Sequence, residues 1–196
     1  MNEFDPVIKY VSRYIQLTPD EETYFASLLR ITRVKKKQLI VQPDFVCRYR
    51  SYVVTGAMRA YLVDKKGDEH TIAFAVEDWW ISDYNSYIFQ APASLFVEAT
   101  EDTVLIQIDY NAEQLLMETH PKFERFFRII TQRAFAFLQR RMMANLSMTA
   151  EERYNEFTDK YPKLVNRFPQ YAVASYLGFS TEFLSKIRNK RVKKLN

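Results

Sequence analysis

QYAVASYLGFSTEFLSKIRNK, residues 170–190, has the apolar spacing of a helix, yet it carries Gly178, one of only three glycines in the chain, in its middle. Inside a continuous helix that glycine would cost about 1 kcal/mol relative to alanine. At the end of a short helix it supplies the left-handed residue of a C-cap. Ser180 follows where a second helix would need its N-cap. The stretch therefore predicts two short helices and a sharp turn. Tyr171, Val173, Ala174 and Leu177 form the inner face of the first, and Phe183, Leu184 and Ile187 that of the second. Thr181, Glu182, Ser185, Lys186, Arg188 and Asn189 are left facing outward, short polar groups first and cations later. This is the helix-turn-helix arrangement, whose second helix enters the major groove of double-stranded DNA. A helical hairpin used only for packing is the alternative.

Charge supports the first reading. From Ser180 to Asn196 there are six cations (Lys186, Arg188, Lys190, Arg191, Lys193, Lys194) against the single acid Glu182, while the whole chain of 196 residues nets only +4. The basic character is gathered at one end, where a polyanion could be held. After Arg191 only VKKLN remains, too short for a full β-hairpin wing.

Upstream, Thr149 and Glu152 predict another capped helix running to about Tyr161, and Pro162 and Pro169 bracket a connector. Before it lies KFERFFRIITQRAFAFLQRRMMANL (122–146), free of Pro and Gly. Phe123, Phe127, Ile130, Ala134 and Phe137 lie near one face of this long helix, broadened by Leu138. The stripe is wider than a strict coiled-coil seam, so it predicts a helix that both covers its own domain and pairs with a second copy. AEQLLMETH (112–120) reads as a short helix.

Between Lys35 and Asp109 the period is two: KKKQLIVQ, FVCRYRSYVVTG, AMRAYLVDKKGDEHTIAFAV and SLFVEATEDTVLIQID alternate between turn signals, with Gly56 and Gly67 at turns. Closely spaced strands without intervening helices predict an antiparallel roll. DWWISDYNSYIF (78–89) breaks the alternation and reads as an irregular or helical insert facing a ligand. At the N-terminus, Thr18, Pro19 and Glu21 set up a capping box, followed by the stripe Phe25, Leu28, Leu29, with a shorter helix around 6–16 before it.

Hydrophobic residues at 47% and aromatics at 15% indicate a folded chain with a substantial core. No apolar run is long enough to cross a bilayer, so no membrane partner is expected. MNEFDPVIKY has no signal-peptide pattern, and one cysteine, Cys47, rules out an internal disulfide. Together these predict a cytoplasmic protein in which Cys47 is a packed small side chain.

YVVTGAMRAYLVDKKGDEHTIAF (52–74) and PQYAVASYLGFSTEFLSKIR (169–188), within this order of elements, resemble the cyclic AMP receptor protein/fumarate-nitrate regulator (Crp/Fnr) superfamily of transcription factors, most closely its short-tailed Bacteroidetes-type branch. The resemblance implies an α+β fold: a cyclic-nucleotide-binding-like jelly roll with flanking helices (1–117), a dimerisation helix (118–147) and a helix-turn-helix domain without a full wing (148–196). It also implies a homodimer, with RNA polymerase and a small-molecule effector as further partners. The family's base-reading positions fall on Thr181, Glu182 and Lys186. Glu182 suits cytosine N4 and Lys186 guanine O6 and N7, whereas Thr181 stands where the family often has Arg. Ser180, Ser185, Arg188 and Lys190 suit phosphates.

In cyclic-AMP-binding members a Gly-Glu pair is followed, ten residues after the Glu, by Arg-Ser. Here Ser82-Asp83 and Ala93-Ser94 occupy those positions, and near Ala136-Phe137 the family's adenine-contacting Thr-Ser is apolar. Without the arginine a phosphate loses its charged partner, so cyclic AMP is not expected as an effector of the usual kind. Trp79, Trp80, Asp83 and Tyr87 either line a pocket for a less polar ligand or fill it. One Cys and two His, His70 and His120, supply too few ligands for haem, an iron–sulfur cluster or a cupin-type metal enzyme, so no metal cofactor is expected. A β-roll protein-interaction module that has lost DNA binding is the remaining alternative.

Overall fold

The computed structural model describes residues 3–195, with side chains to Lys190. Arg191, Lys193 and Lys194 of the basic tail therefore have side chains outside the described residues. The fold is α+β. The chain divides into two compact units, one of residues 1–62 and 73–133, the other of 63–72 and 134–196. This division runs through the long helix, whereas the sequence suggested three consecutive parts.

The first unit opens with helix α1 (Asp5–Val11) and α2 (Pro19–Ser27). Thr18 and Glu21 form the expected reciprocal cap on α2, Thr18 N donating to Glu21 at 2.7 Å and Glu21 N to Thr18 Oγ1 at 3.3 Å. Next come β1 (Leu29–Val34), β2 (Leu39–Val41), β3 (Tyr49–Thr55), β4 (Met58–Val63), β5 (Glu69–Ala75), β6 (Trp80–Ile81), α3 (Tyr84–Phe89), β7 (Phe96–Ala99), β8 (Thr103–Asp109) and α4 (Tyr110–Thr119). α5 (Lys122–Ser147) follows. The strands form two four-stranded sheets, ordered β1-β8-β3-β6 and β2-β7-β4-β5. β1 was not expected as a strand: Leu28 is the C-cap of α2, and Leu29 pairs with Ile108. In so short a segment the tail of a helical stripe and the start of an alternating strand place apolar residues alike.

Period-two patterning distributes the core. Leu105, Val53 and Val34 face the roll interior with Val97, Met58 and Ala60. Their neighbours Ile106, Ile108, Tyr52 and Leu29 face outward, where α1, Phe25 of α2 and the first half of α5 cover them. Gly56 (φ +101°) turns β3 into β4, and a Cβ there would lie 2.3 Å from Thr103 Oγ1 and 2.7 Å from Asp102 O, so only glycine fits.

In the second unit, α6 (Ala150–Lys160) starts at a capping box of Thr149 and Glu152, as expected. α7 (Gln170–Leu177) ends at Gly178 with φ +79°, and α8 (Thr181–Leu195) is capped by Ser180 Oγ, which accepts from Phe183 N at 3.3 Å. The inner faces differ in part from expectation. Ala172, Val173, Ala174, Tyr176, Leu177, Leu184 and Ile187 are buried, whereas Tyr171 and Phe183 are exposed. Phe183 instead lies edge-on to the Phe179 ring, 5.7 Å away. Two arginines hold the end of α7. Arg141 Nη2 donates to Tyr176 O at 2.9 Å, and Arg153 Nε to Leu177 O at 3.0 Å. Carbonyls at a helix C-terminus lack intrahelical donors and carry the negative end of the dipole, so cations are favoured there. Arg141 also donates to Thr71 O and Ile72 O of β5, and its guanidinium lies 3.9 Å from the Tyr176 ring centre. Ser175 Oγ completes that attachment, accepting from Thr71 N and donating to Glu69 O, both at 2.8 Å.

Candidate nucleic-acid interface and effector pocket

On α8, one turn apart, Glu182 and Lys186 project exposed from the same face. Thr181 beside them is half-buried, and Ser180 is exposed. The Glu182 carboxyl is held below its ordinary value by its own backbone N–H, by the Ser180 hydroxyl and by the Lys186 charge. It is therefore ionised at neutral pH and can only accept hydrogen bonds. Of the residues matched to phosphates, Ser185 donates its hydroxyl to Thr181 O at 3.1 Å. Lys190 Nζ lies 2.7 Å from Glu151 Oε2 of α6, a partner sequence reasoning did not assign. Arg188 is half-buried.

α5 changes surroundings along its length. Phe123, Phe127 and Ile130, three of the residues matched to a pairing face, are buried in the core of the first unit together with Phe126. They cannot meet a second copy without unfolding that core. Ala134 is exposed, and Phe137 is half-buried beside Arg141 and Phe157. The exposed apolar stripe is a different one: Phe135, Leu138 and Met142 are 68%, 51% and 66% exposed, with Leu146 one turn further. Their 3–4 spacing is that of a coiled-coil seam.

In the roll, Asp83 is 1% exposed and its carboxylate is fully engaged. Oδ1 accepts from Ser86 N at 3.1 Å, capping α3, while Oδ2 accepts from Ser94 N at 2.9 Å and Leu95 N at 3.0 Å. The Ser94 side chain is exposed. Ser82 Oγ donates to Tyr49 O at 3.3 Å and lies 3.3 Å from the buried Cys47 sulfur. Tyr87 is wholly buried and donates to Glu113 Oε2 at 3.0 Å, and Arg50 Nη2 donates to the other oxygen of that carboxylate at 2.7 Å. Burial raises the pKa of both Tyr87 and Glu113. Arg50 Nε and Nη1 have no hydrogen-bond acceptor among the described residues, and the rings of Phe127, Tyr84 and Tyr87 lie 4.8–5.3 Å from its guanidinium carbon. Ring faces can hold a desolvated guanidinium.

The two tryptophans do not share a pocket. Trp79, just before β6, packs with the roll interior, while Trp80, the first residue of that strand, packs outward against Tyr52, Phe126 and Phe127.

Among the described residues no three of His, Cys, Asp and Glu gather as a metal site, and no helix is long and apolar enough to cross a membrane. His70 pairs with Asp64 at 3.0 Å, and His120 stacks on Tyr24.

No family model and no curated protein sequence matches the chain. Solved structures do. FixK2 from Bradyrhizobium japonicum superposes with a TM-score of 0.74 at 18% identity, covering 85% of this chain and 85% of that one. The c-di-GMP-responsive global regulator CLP of Xanthomonas campestris gives 0.73 at 12% identity, over 90% of this chain and 93% of its own. A CooA mutant from Carboxydothermus hydrogenoformans gives 0.71 at 17%, over 94% and 83%. The chain has the fold of Crp/Fnr-type regulators. At such identities the likeness singles out no branch of that superfamily.

Proposed function

We propose that this chain is a non-enzymatic, DNA-binding transcription regulator of the Crp/Fnr type, of the short-tailed branch, working as a homodimer on a roughly palindromic site. The observation that carries the reading is the Ser180-capped α8, set by the Gly178 turn, with ionised Glu182 and Lys186 on one exposed face. Two such helices would meet successive major grooves about 34 Å apart. Glu182 reads cytosine N4 and Lys186 reads guanine, while Thr181 lacks the reach of an arginine and leaves its position loosely specified. Ser180, Ser185, Arg188 and Lys190 hold phosphates, Lys190 after leaving Glu151. RNA polymerase is the further partner this role implies.

In this reading the roll does not respond to cyclic AMP. The backbone N–H of Ser94, which with Ala93 falls where the superfamily's phosphate-holding Arg-Ser stands, already donates to Asp83, as does that of the next residue, Leu95. A phosphate would meet that carboxylate with no arginine to offset it.

Sequencing of duplexes selected from a random pool tests the DNA role. A palindromic consensus is expected, with affinity falling steeply as salt rises. Glu182→Ala should change the preferred half-site, at about 1–3 kcal/mol per altered base pair, whereas Lys190→Ala should weaken all duplexes alike and flatten the salt slope. A protein-only module would show no consensus and little slope. An equal loss on every duplex for Glu182→Ala would refute its base-reading role.

A further inference from the structure

One rung of the roll interior is polar on all three of its strands. Arg30, Gln107 and Ser51 are directly opposite one another across β1, β8 and β3. The adjacent inward rung is Thr32, Leu105 and Val53. Gln107 and Ser51 are buried, an unfavourable placement for polar side chains unless their bonds are made. They are made. Gln107 Nε2 donates to Ser51 Oγ at 2.8 Å, and Gln107 Oε1 accepts from Thr32 Oγ1 at 2.7 Å and from Arg30 Nε and Nη2 at 3.0 and 2.9 Å. The network lays the Arg30 guanidinium flat on the Tyr49 ring, 3.3 Å from its centre. Arg30 Nη1 has no partner among the described residues.

This rung helps line an open-mouthed cavity of about 350 Å³, together with β2 and the segment after it. The volume falls in the range of small-molecule sites. The lining includes two cations, Arg30 and Arg48, and no acid, and exposed Phe45 and Leu39 form an apolar rim. Asp83 and Tyr87 are not part of it.

We propose that this cavity is a binding site for a small aromatic monocarboxylate, its carboxylate on Arg30 and its ring against Phe45. A surface arginine is ordinarily a mobile chain; here a buried glutamine fixes one before any ligand arrives, so little ordering remains to oppose binding. A carboxylate is the acceptor a planar guanidinium suits best, and no acid in the lining competes for it. The second cation gives the site a positive field at its mouth. The rim excludes a bare inorganic ion as the preferred occupant, because its apolar surface would be left uncovered.

The test uses the full-length protein with benzoate and 3-phenylpropionate as probes and neutral benzamide as the control, followed by calorimetry and by the Arg30 Nε–H resonance. Saturable binding of at least one acid, with a shift of that resonance, is expected. Benzamide should bind at least about tenfold more weakly, as should the acid to Arg30→Gln. Arg48→Gln, at an exposed position, provides a second reading with a smaller loss should Arg30→Gln unfold. Equal binding of benzoate and benzamide, unchanged binding by both variants, or no saturation by either acid up to about 10 mM would overturn the proposal.

Discussion

Leu138→Glu should convert the proposed homodimer to a monomer and lower its affinity for a palindromic duplex by about 10²–10⁴-fold, the factor that linked binding of two half-sites supplies. Phe135, Leu138 and Met142 leave a large apolar surface in water at 3–4 spacing, along the second half of α5. Fully burying a leucine contributes roughly 1.5–3 kcal/mol, and a twofold seam collects that contribution twice. Twofold symmetry also sets a glutamate at 138 close to its own copy, so the variant both loses burial and gains like-charge repulsion. The residue is exposed, so the fold should survive, as its melting temperature would show. Phe123→Ala is the contrasting change. It empties a fully buried site in the first unit, and about 3–5 kcal/mol of stability should go with it. Sedimentation velocity and duplex titration read both variants. Leu138→Glu remaining dimeric at native affinity would remove α5 as the pairing element.

Asp83→Ala should destabilise the protein by about 2–5 kcal/mol, since three backbone N–H groups lose their acceptor and an unmet buried donor costs about 1–3 kcal/mol before any water enters. Asp83→Asn keeps one carbonyl oxygen and should lose less. The vacated place is shaped for a carboxylate, so formate should restore part of the melting temperature of Asp83→Ala and leave the native protein unchanged. Native protein should show no saturable heat with cyclic AMP. A melting temperature within a degree or two of native for Asp83→Ala would mean that the three bonds are not what closes α3 onto β7, and cyclic AMP binding at micromolar concentrations would overturn the effector argument.

Much of the fold was legible because its signals are local. Both capping boxes, Thr18–Glu21 and Thr149–Glu152, and the left-handed Gly178 stand where a few adjacent residues dictate them. The roll was legible from alternation, and the outward place of Glu182 and Lys186 from helical periodicity. What was misread depended on which of two apolar surfaces a residue meets. Phe123, Phe127 and Ile130 have the spacing of a pairing stripe, yet an outer sheet face formed by Ile106, Ile108 and Tyr52 already covers them. Tyr171 and Phe183 are apolar enough for the inside, yet the fold leaves both exposed.

The sequence by itself determined where the capped helices α2, α6 and α8 start, where Gly178 stops α7, and which strands alternate, because each of these rests on interactions spanning a few residues. The tertiary structure alone decided the partners of residues far apart in the chain. It brought Arg30 of β1 to Gln107 of β8, and Arg50 to Glu113. It set Asp83 against the amides of Ser94 and Leu95, and it left Phe135, Leu138 and Met142 uncovered while burying the turns of α5 before them. Those pairings follow from strand register and sheet order, and a buried polar group can be placed only once the chain that must satisfy it has been brought alongside.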